Sequence, residues 1–235
     1  MGKKTVLFDL DGTLLPMDQE VFVKAYFQGI GMKLAPHGYD PRELLKVIWA
    51  GTDAMIANDG RDTNEEVFWN FFTGRYGAES RKHEPIFADF YENEFNKVQS
   101  VCGHNPRAAE LIRALKEKGV QVILATNPIF PQVATRARVR WAGLSWEDFA
   151  YVTTYENCRY CKPNVKYYEE ILDRLGLDPK DCCMVGNDAG DDLPAAELGM
   201  EVFLLTDNLI NKAGTDISAI PQGGFDELFA FLFED

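Results

Sequence analysis

The segment LFDLDGTLLP, residues 7–16, places two carboxylates, Asp9 and Asp11, at the point where an apolar run ends. Buried aspartates cost free energy unless they are paired or bound to a metal. The residues KTVLFDL (4–10) are apolar and β-rich, which predicts a short buried strand. Residues i and i+2 of an extended segment face the same side, so both carboxylates can point into one pocket. The following Gly12 indicates a turn, and the segment therefore predicts a functional site at the end of a strand.

The rest of the chain shows two patterns in succession. Between Met17 and about Gln99 the periodicity is helical and no convincing strand is found; beyond it, apolar strands alternate with helices, as is typical of a parallel sheet covered on both faces. We predict a doubly wound α/β core made of residues 1–15 and 100–235, with an α-helical domain inserted at 16–99. The predicted helices of the insert are 18–30, 41–59, 64–77 and 84–98, and the later predicted strands are 120–126, 181–187 and 200–206.

Composition excludes several classes of partner. The 235 residues carry 24 Lys and Arg against 37 Asp and Glu, a formal charge of −13, which argues against nonspecific binding to nucleic acid or to an anionic membrane. No apolar run is long enough to span a membrane, and we expect a cytoplasmic location. Five cysteines suggest reduced thiols. The CxxC pair Cys158 and Cys161 leaves a redox or zinc role open.

Polar residues stand at four predicted strand ends. In open α/β sheets, ligands bind at the carboxyl ends of the strands. Taken singly, the four groups could be a turn, an Asx-type turn, the start of a helix and an N-cap. Taken together, each after an apolar strand, they indicate one site. The groups are Asp9 to Thr13, Thr126 with Asn127, Lys162, and Asn187 with Asp188, Asp191 and Asp192.

In this order the four groups resemble the four motifs of the haloacid dehalogenase superfamily, most of whose members are magnesium-dependent phosphatases. The resemblance covers residues 4–14 and about 100–206, and it implies a Rossmann-like core. The helical insert is similar, in its position and helicity, to the α-helical cap of that family. The motif residues are Asp9-Leu10-Asp11-Gly12-Thr13, Thr126, Lys162 and the cluster from Gly186 to Asp192.

The chemistry of the residues agrees with the resemblance. A carboxylate that attacks a phosphoryl group must overcome repulsion between anions, and a divalent cation with fixed donors removes that obstacle. Magnesium suits carboxylate oxygens, waters and a substrate phosphate. Asp9 is then the nucleophile that forms an aspartyl-phosphate, and Asp11 protonates the leaving alcohol and later activates water. The resemblance further implies that the Asp11 backbone carbonyl faces the metal. Gly12 permits close approach to the phosphate, with Thr13 in a supporting role.

The other motifs would bind the phosphate and complete the metal site. We predict that Thr126 donates its hydroxyl to the phosphate together with the backbone N–H of Asn127, and that Lys162 neutralises the nucleophile and the transferring group. The fourth motif departs from the family, since Asn187 occupies a position where many members have a metal-ligating Asp.

This departure leaves two alternatives for the metal ligand. Either Asn187 binds the metal through its amide oxygen, or Asp188 does so, directly or through water. Asp192 would support Lys162 or the metal-bound waters.

The predicted function is magnesium-dependent hydrolysis of a small phosphorylated metabolite, since a cap after the first motif usually encloses the site. A phosphomutase uses the same aspartates and is an alternative, as is a non-catalytic module that binds phosphorylated ligands, which Asn187 keeps open. A dehalogenase is disfavoured, because Asp11 would then have no leaving alcohol to protonate. Five cations of the insert could face a polar leaving group, although charges on helices usually face solvent: Lys24, His37, Arg42, Lys46 and Arg61.

Overall fold

The computed structural model describes residues 4–233, and at its centre lies a six-stranded sheet in which all pairs are parallel. The strand order is β3-β2-β1-β4-β5-β6, so β1 lies in the middle between β2 and β4. This arrangement confirms the predicted doubly wound α/β fold. The strands are β1 (Thr5–Phe8), β2 (Gln121–Leu124), β3 (Tyr151–Val152), β4 (Cys182–Gly186), β5 (Glu201–Leu205) and β6 (Gln222–Gly223).

Helices connect the strands, and four of them lie between β1 and β2 ahead of α5. The helix starts follow from capping residues. The Asp18 carboxylate accepts from the N–H groups of Glu20 and Val21, and Thr63 forms a capping box with Glu66. The helices are α1 (Gln19–Leu34), α2 (Pro41–Ile56), α3 (Asn64–Tyr76), α4 (Glu84–Glu92), α5 (Pro106–Glu117), α6 (Gln132–Trp141), α7 (Val165–Leu175), α8 (Ala189–Asp192) and α9 (Phe225–Phe233). Within residues 4–233, none of the helices has the length and apolar character needed to cross a bilayer.

Several element boundaries differ from the prediction. The helix predicted over 84–98 ends at Glu92 and continues as a 3-10 helix, Glu94–Val101, because the Asn93 side chain donates to the Asp89 carbonyl (3.1 Å) and competes with the helical bonds. After β4, the segment DDLPAAELG (191–199) predicts a helix from its sequence, and the structure has the short α8 there, followed by a 3-10 helix, Leu193–Leu198. The strands β3 and β6 were not predicted, because each is only two residues long and so short a segment shows no alternation of apolar and polar residues.

The four helices of the insert share one apolar core with the α/β part. Tyr26 of α1 packs edge-on against Phe130 with ring centroids 5.4 Å apart, and Phe95 packs against Trp141 of α6 at 4.9 Å. The two segments that connect the insert to the α/β part are also hydrogen-bonded to each other, since the Gly103 N–H donates to the Pro16 carbonyl (2.7 Å). The division into a core and a helical domain at 16–99 therefore stays a prediction.

Candidate active site

The carboxyl end of β1 carries the first two aspartates. Asp9 is 9% exposed, and its N–H continues the sheet by donating to the Val185 carbonyl of β4 (2.9 Å). The chain then turns at Gly12, whose φ of +85° belongs to the left-handed region that favours glycine. A Cβ at that position would lie 2.4 Å from Nδ2 of Asn187. The turn therefore depends on a residue without a side chain.

Asp9 lies between a cation and a hydroxyl. Its Oδ1 accepts from Nζ of Lys162 (3.0 Å), and its Oδ2 lies 3.4 Å from the Thr13 hydroxyl. Burial raises the pKa of Asp9 to about 7; the Lys162 ammonium opposes this rise, and the charges of Asp192 and Asp11 add to it. The single ammonium of Lys162 does not offset burial and the two neighbouring negative charges, so a further positive charge beside Asp9 would favour its ionised form.

Lys162 is 1% exposed and bridges two carboxylates. Its Nζ donates to Asp192 Oδ1 (2.7 Å) as well as to Asp9, and Asp192 Oδ2 accepts from the Asp188 N–H (2.9 Å). Asp192 thus supports Lys162, which is one of its two predicted roles. The expectation that Lys162 directly follows a strand is wrong. It stands ten residues after the end of β3, in the loop before α7.

Asp11 pairs with an arginine that the sequence analysis did not identify. The Asp11 carboxylate accepts from Nη1 of Arg138, which lies on α6 and is 1% exposed. The guanidinium also donates to the Thr135 hydroxyl (3.3 Å) and stacks over the Phe130 ring at 4.4 Å. Burial raises the pKa of Asp11, and Arg138 opposes that rise. Oδ1 of Asp11 is buried and has no hydrogen-bond partner.

A signal for Arg138 was present in the helical periodicity. Arg138 lies four residues after Ala134 and three before Trp141, both of which are buried on the inner face of α6. Its neighbour Arg140 is exposed. An arginine on the apolar face of a helix needs a buried partner, but only the fold shows that this partner is Asp11.

The second predicted group lies beside the first. Thr126 is 2% exposed at the end of β2, and its carbonyl accepts from the hydroxyls of Thr153 (2.6 Å) and Tyr167 (2.9 Å). Asn127 donates from Nδ2 to Asp191 Oδ2 (3.3 Å), and its own Oδ1 is buried without a partner. Both residues line the same cavity as Asp9 and Asp11, so the structure brings the second group to the first.

Asn187 has both ends of its amide engaged by the protein. Its Oδ1 accepts from the Thr13 hydroxyl (2.9 Å), and its Nδ2 donates to the carbonyl of Asn208 (2.8 Å), a residue that the sequence analysis did not single out. Asp188 caps α8, with Oδ1 accepting from the Gly190 N–H (2.8 Å), and also lines the cavity at Asp9. The Asp188 carboxylate is therefore the less constrained of the two candidate metal ligands.

The donors around Asp9 are hard oxygen atoms. In the part of the chain that the structure describes, no three His, Cys, Asp or Glu side chains are gathered as a metal-binding cluster, and Asp11 is held by Arg138 instead.

The absence of such a cluster among the described residues also gives no support to a zinc site at Cys158 and Cys161. Both thiols are 1% exposed, and burial raises the pKa of Cys158 to about 12 and raises that of Cys161 as well.

These groups lie at one end of a cavity of about 390 Å³ that extends beneath the insert. The predicted residues at this end are Asp9, Asp11, Thr126, Asn127, Lys162, Asn187, Asp188 and Asp192. The cations of the insert do not reach it. The five named as able to face a leaving group are all exposed, as is usual for charged side chains, and none lines the cavity: Lys24, His37, Arg42, Lys46 and Arg61.

The model of the haloacid dehalogenase-like hydrolase family matches residues 3–199. The chain belongs to this family. It is a hydrolase by that membership, and the predicted resemblance is confirmed.

Individual relatives agree with the assignment. The chain is 25% identical over 206 residues to a phosphoglycolate phosphatase of Vibrio vulnificus, covering 86% of this chain and 83% of the relative. It is 22% identical over 213 residues to the pyrophosphatase PpaX of Bacillus cereus, covering 91% and 88%. A crystal structure of a phosphatase of the same superfamily from Thermococcus onnurineus matches with a TM-score of 0.59, at 21% identity and over 99% of both chains, which shows the shared fold.

Proposed function

We propose that the protein is a magnesium-dependent phosphatase that hydrolyses a small phosphate monoester through an aspartyl-phosphate on Asp9. The observation that carries this proposal is the geometry around Asp9. A buried carboxylate stands beside a buried ammonium, Lys162, and a second carboxylate, Asp11, faces the same cavity. Two relatives support a phosphoryl substrate, since one is named a phosphoglycolate phosphatase and the other a pyrophosphatase.

In the first step, an oxygen of Asp9 attacks the phosphorus atom. The bond from phosphorus to Asp9 forms while the bond to the leaving oxygen breaks, and Asp11 gives its proton to that oxygen. The ammonium of Lys162 and the hydroxyl of Thr126 offset the charge on the transferring group. Burial raises the pKa of Asp11, which is the direction that favours a general acid, and Arg138 opposes this rise.

In the second step, Asp11 takes a proton from a water molecule that attacks the phosphorus of the aspartyl-phosphate. The bond between Asp9 and phosphorus breaks, and inorganic phosphate is released. Arg138 holds the Asp11 carboxylate at the edge of the cavity in both steps and favours its anionic form in the second.

The oxygen donors at this end of the cavity suit a hard divalent cation, although no three of the described acidic, His or Cys side chains are gathered around one point. The local charge is negative, because five carboxylates stand against the buried cations Lys162 and Arg138 and the exposed Lys212: Asp9, Asp11, Asp188, Asp191 and Asp192. Asp9 and Asp188 would hold the ion, with Asn187 Oδ1 and the Asp11 carbonyl as neutral oxygen ligands. The ion would offset the negative charge of the substrate phosphate.

The test is phosphate release from para-nitrophenyl phosphate and from a panel of phosphorylated metabolites, with magnesium and with EDTA. We expect metal-dependent turnover that Asp9→Asn lowers by at least about three orders of magnitude, because the nucleophile is lost. Asp173→Asn, an exposed substitution on α7, is the matched control and should leave the rate unchanged. Turnover that survives in Asp9→Asn would contradict the mechanism. An isomerised sugar phosphate without free phosphate would identify the phosphomutase alternative.

A further inference from the structure

The cavity at Asp9 has a second part that differs from the carboxylate end. It lies beneath α1–α4, and its wall on the side of the insert is aromatic. Trp69 and Phe87 pack edge to face with ring centroids 5.2 Å apart, Phe68 lies beside Trp69 at 5.6 Å, and Phe27 pairs with Trp49 at 5.3 Å. A leaving group attached to a phosphate at Asp9 would have to lie against these rings.

The insert supplies no charge to this wall. Among the residues that the structure describes in α1–α4, no Lys, Arg, His, Asp or Glu lines the cavity. The polar groups there are neutral and mostly engaged: the hydroxyls of Tyr26 and Tyr91 bond each other at 2.8 Å, and the Thr52 hydroxyl donates to the Ile48 carbonyl at 3.0 Å. A carboxylate or a second phosphate placed here would be buried without a counter-charge, which is costly in free energy.

One neutral donor is poorly satisfied. The indole N–H of Trp69 is buried beside the Tyr155 hydroxyl without a hydrogen bond of good geometry. A hydroxyl or carbonyl of a ligand can accept from such a donor, which satisfies the indole N–H without bringing a charge to the wall.

The size of the cavity agrees with its chemistry. A volume of about 390 Å³ falls in the range of sites for small organic ligands. A phosphate and two carbon atoms would fill only a small part of it and would leave the aromatic rings without contacts. A phosphate bearing a ring would cover them.

We propose that the substrate is the phosphate monoester of an uncharged alcohol that carries an aromatic or similarly bulky apolar group. This inference rests on the proposed function for the phosphate end and adds the class of leaving group. It separates the protein from the relatives named for phosphoglycolate and pyrophosphate, since both of those compounds carry a second anionic group.

The test compares three esters of primary alcohols by their rates of phosphate release with magnesium: 2-phenylethyl phosphate, ethyl phosphate and 2-phosphoglycolate. We expect kcat/KM for the phenylethyl ester to exceed that for the ethyl ester by about 10- to 100-fold, because the ring leaves water. Phosphoglycolate should be a poorer substrate than the phenylethyl ester by at least a similar factor. Equal or better turnover of phosphoglycolate would overturn the inference.

A substitution in the aromatic wall tests whether these rings cause the preference for the phenylethyl ester. Trp49 is 46% exposed at the edge of the cavity, so Trp49→Ala removes a ring that the fold needs little. We expect the ratio of kcat/KM between the phenylethyl and ethyl esters to fall by about tenfold. The matched control is Met32→Ala, at an apolar residue of α1 that is 70% exposed and does not line the cavity, and it should keep the ratio. A ratio unchanged in Trp49→Ala would contradict the assignment of the wall.

Binding separates this inference from the phosphatase proposal. Quenching of tryptophan fluorescence in Asp9→Asn reports occupancy without turnover, since Trp49 and Trp69 line the cavity. Selective binding of 2-phenylethyl phosphate over phosphoglycolate, in a protein whose native form hydrolyses no ester, would support the ligand class and overturn the phosphatase proposal. Hydrolysis that favours phosphoglycolate would overturn the ligand class alone. Absence of both binding and hydrolysis would overturn both.

Discussion

Replacement of Arg138 by methionine tests the buried ion pair beneath the second aspartate. Arg138 is 1% exposed, and its partner Asp11 is 21% exposed at the side chain. Methionine has a similar length and can still pack on the Phe130 ring, so the substitution removes the charge with little loss of volume. The Asp11 carboxylate then remains at the cavity edge without its cation.

The magnitude follows from the burial of the pair. Removing one partner of a buried ion pair costs about 3–5 kcal/mol, because the other charge is left uncompensated. Asp11 keeps some contact with water, so we take the lower end, about 3 kcal/mol. For a chain of this size each kcal/mol lowers Tm by about 2–4 °C, which predicts a fall of roughly 6–12 °C. The proposed phosphatase activity should also fall by about 10- to 100-fold, because Asp11 loses its orientation.

Thermal denaturation followed by circular dichroism measures the first effect and phosphate release measures the second. Arg140→Met is the matched control, since Arg140 is exposed on the same helix and its replacement should change the free energy of unfolding by less than about 0.5 kcal/mol. The double variant Asp11→Asn with Arg138→Met should recover part of the lost stability, because no charge is left unpaired. A Tm for Arg138→Met within the error of the Arg140→Met control would refute the reasoning.

Three further predictions concern the neighbouring loops. Gly12→Ala should lower the free energy of unfolding by about 1–2 kcal/mol or more in thermal denaturation, because φ is +85° and the added Cβ would meet Asn187; an unchanged Tm would contradict the turn geometry. Asn187→Asp should lower Tm in EDTA, since it loses the donor to the Asn208 carbonyl, and should tighten the magnesium titration by adding a charged oxygen ligand; an unchanged magnesium midpoint would count against the proposed site. Cys158 and Cys161 should react slowly with iodoacetamide at pH 8 in the native protein and rapidly in guanidinium, as followed by peptide mass spectrometry. Burial raises the pKa of Cys158 to about 12, so about one Cys158 thiol in 10⁴ is ionised at pH 8. Rapid labelling of the native protein would disprove the burial of this thiol.

Much of the fold is readable from local pattern. The alternation of apolar strands with helices predicted the parallel sheet. The predicted starts of the first and third helices, at 18 and 64, are confirmed within one residue, where Asp18 and Thr63 cap α1 and α3. Boundaries were less accurate where side chains compete with the backbone, as at Asn93. The strand β3 could not be predicted, because a two-residue strand exists only through its pairing with β2.

Part of the candidate site could also be predicted from local pattern, and part required the tertiary structure. Asp9 and Asp11 could be assigned to one pocket from their spacing alone, because the period of a strand is a local property. Lys162 lies beside Asp9 although it is 153 residues away in the chain, because the fold brings the loop before α7 to the end of β1. In the sequence, only the charge of Lys162 and its place in the order of the motifs suggested this contact.

By itself, the sequence determined the sheet, the helical insert and the identity of the residues at the strand ends, since periodicity, caps and turns depend on neighbours along the chain. Only the tertiary structure decided which partners these residues have. The pairing of Arg138 with Asp11, the engagement of Asn187 by Thr13 and the uncharged aromatic wall all join segments that are distant in sequence. Burial and pairing of charge depend on what the fold brings together, and no local pattern contains that information.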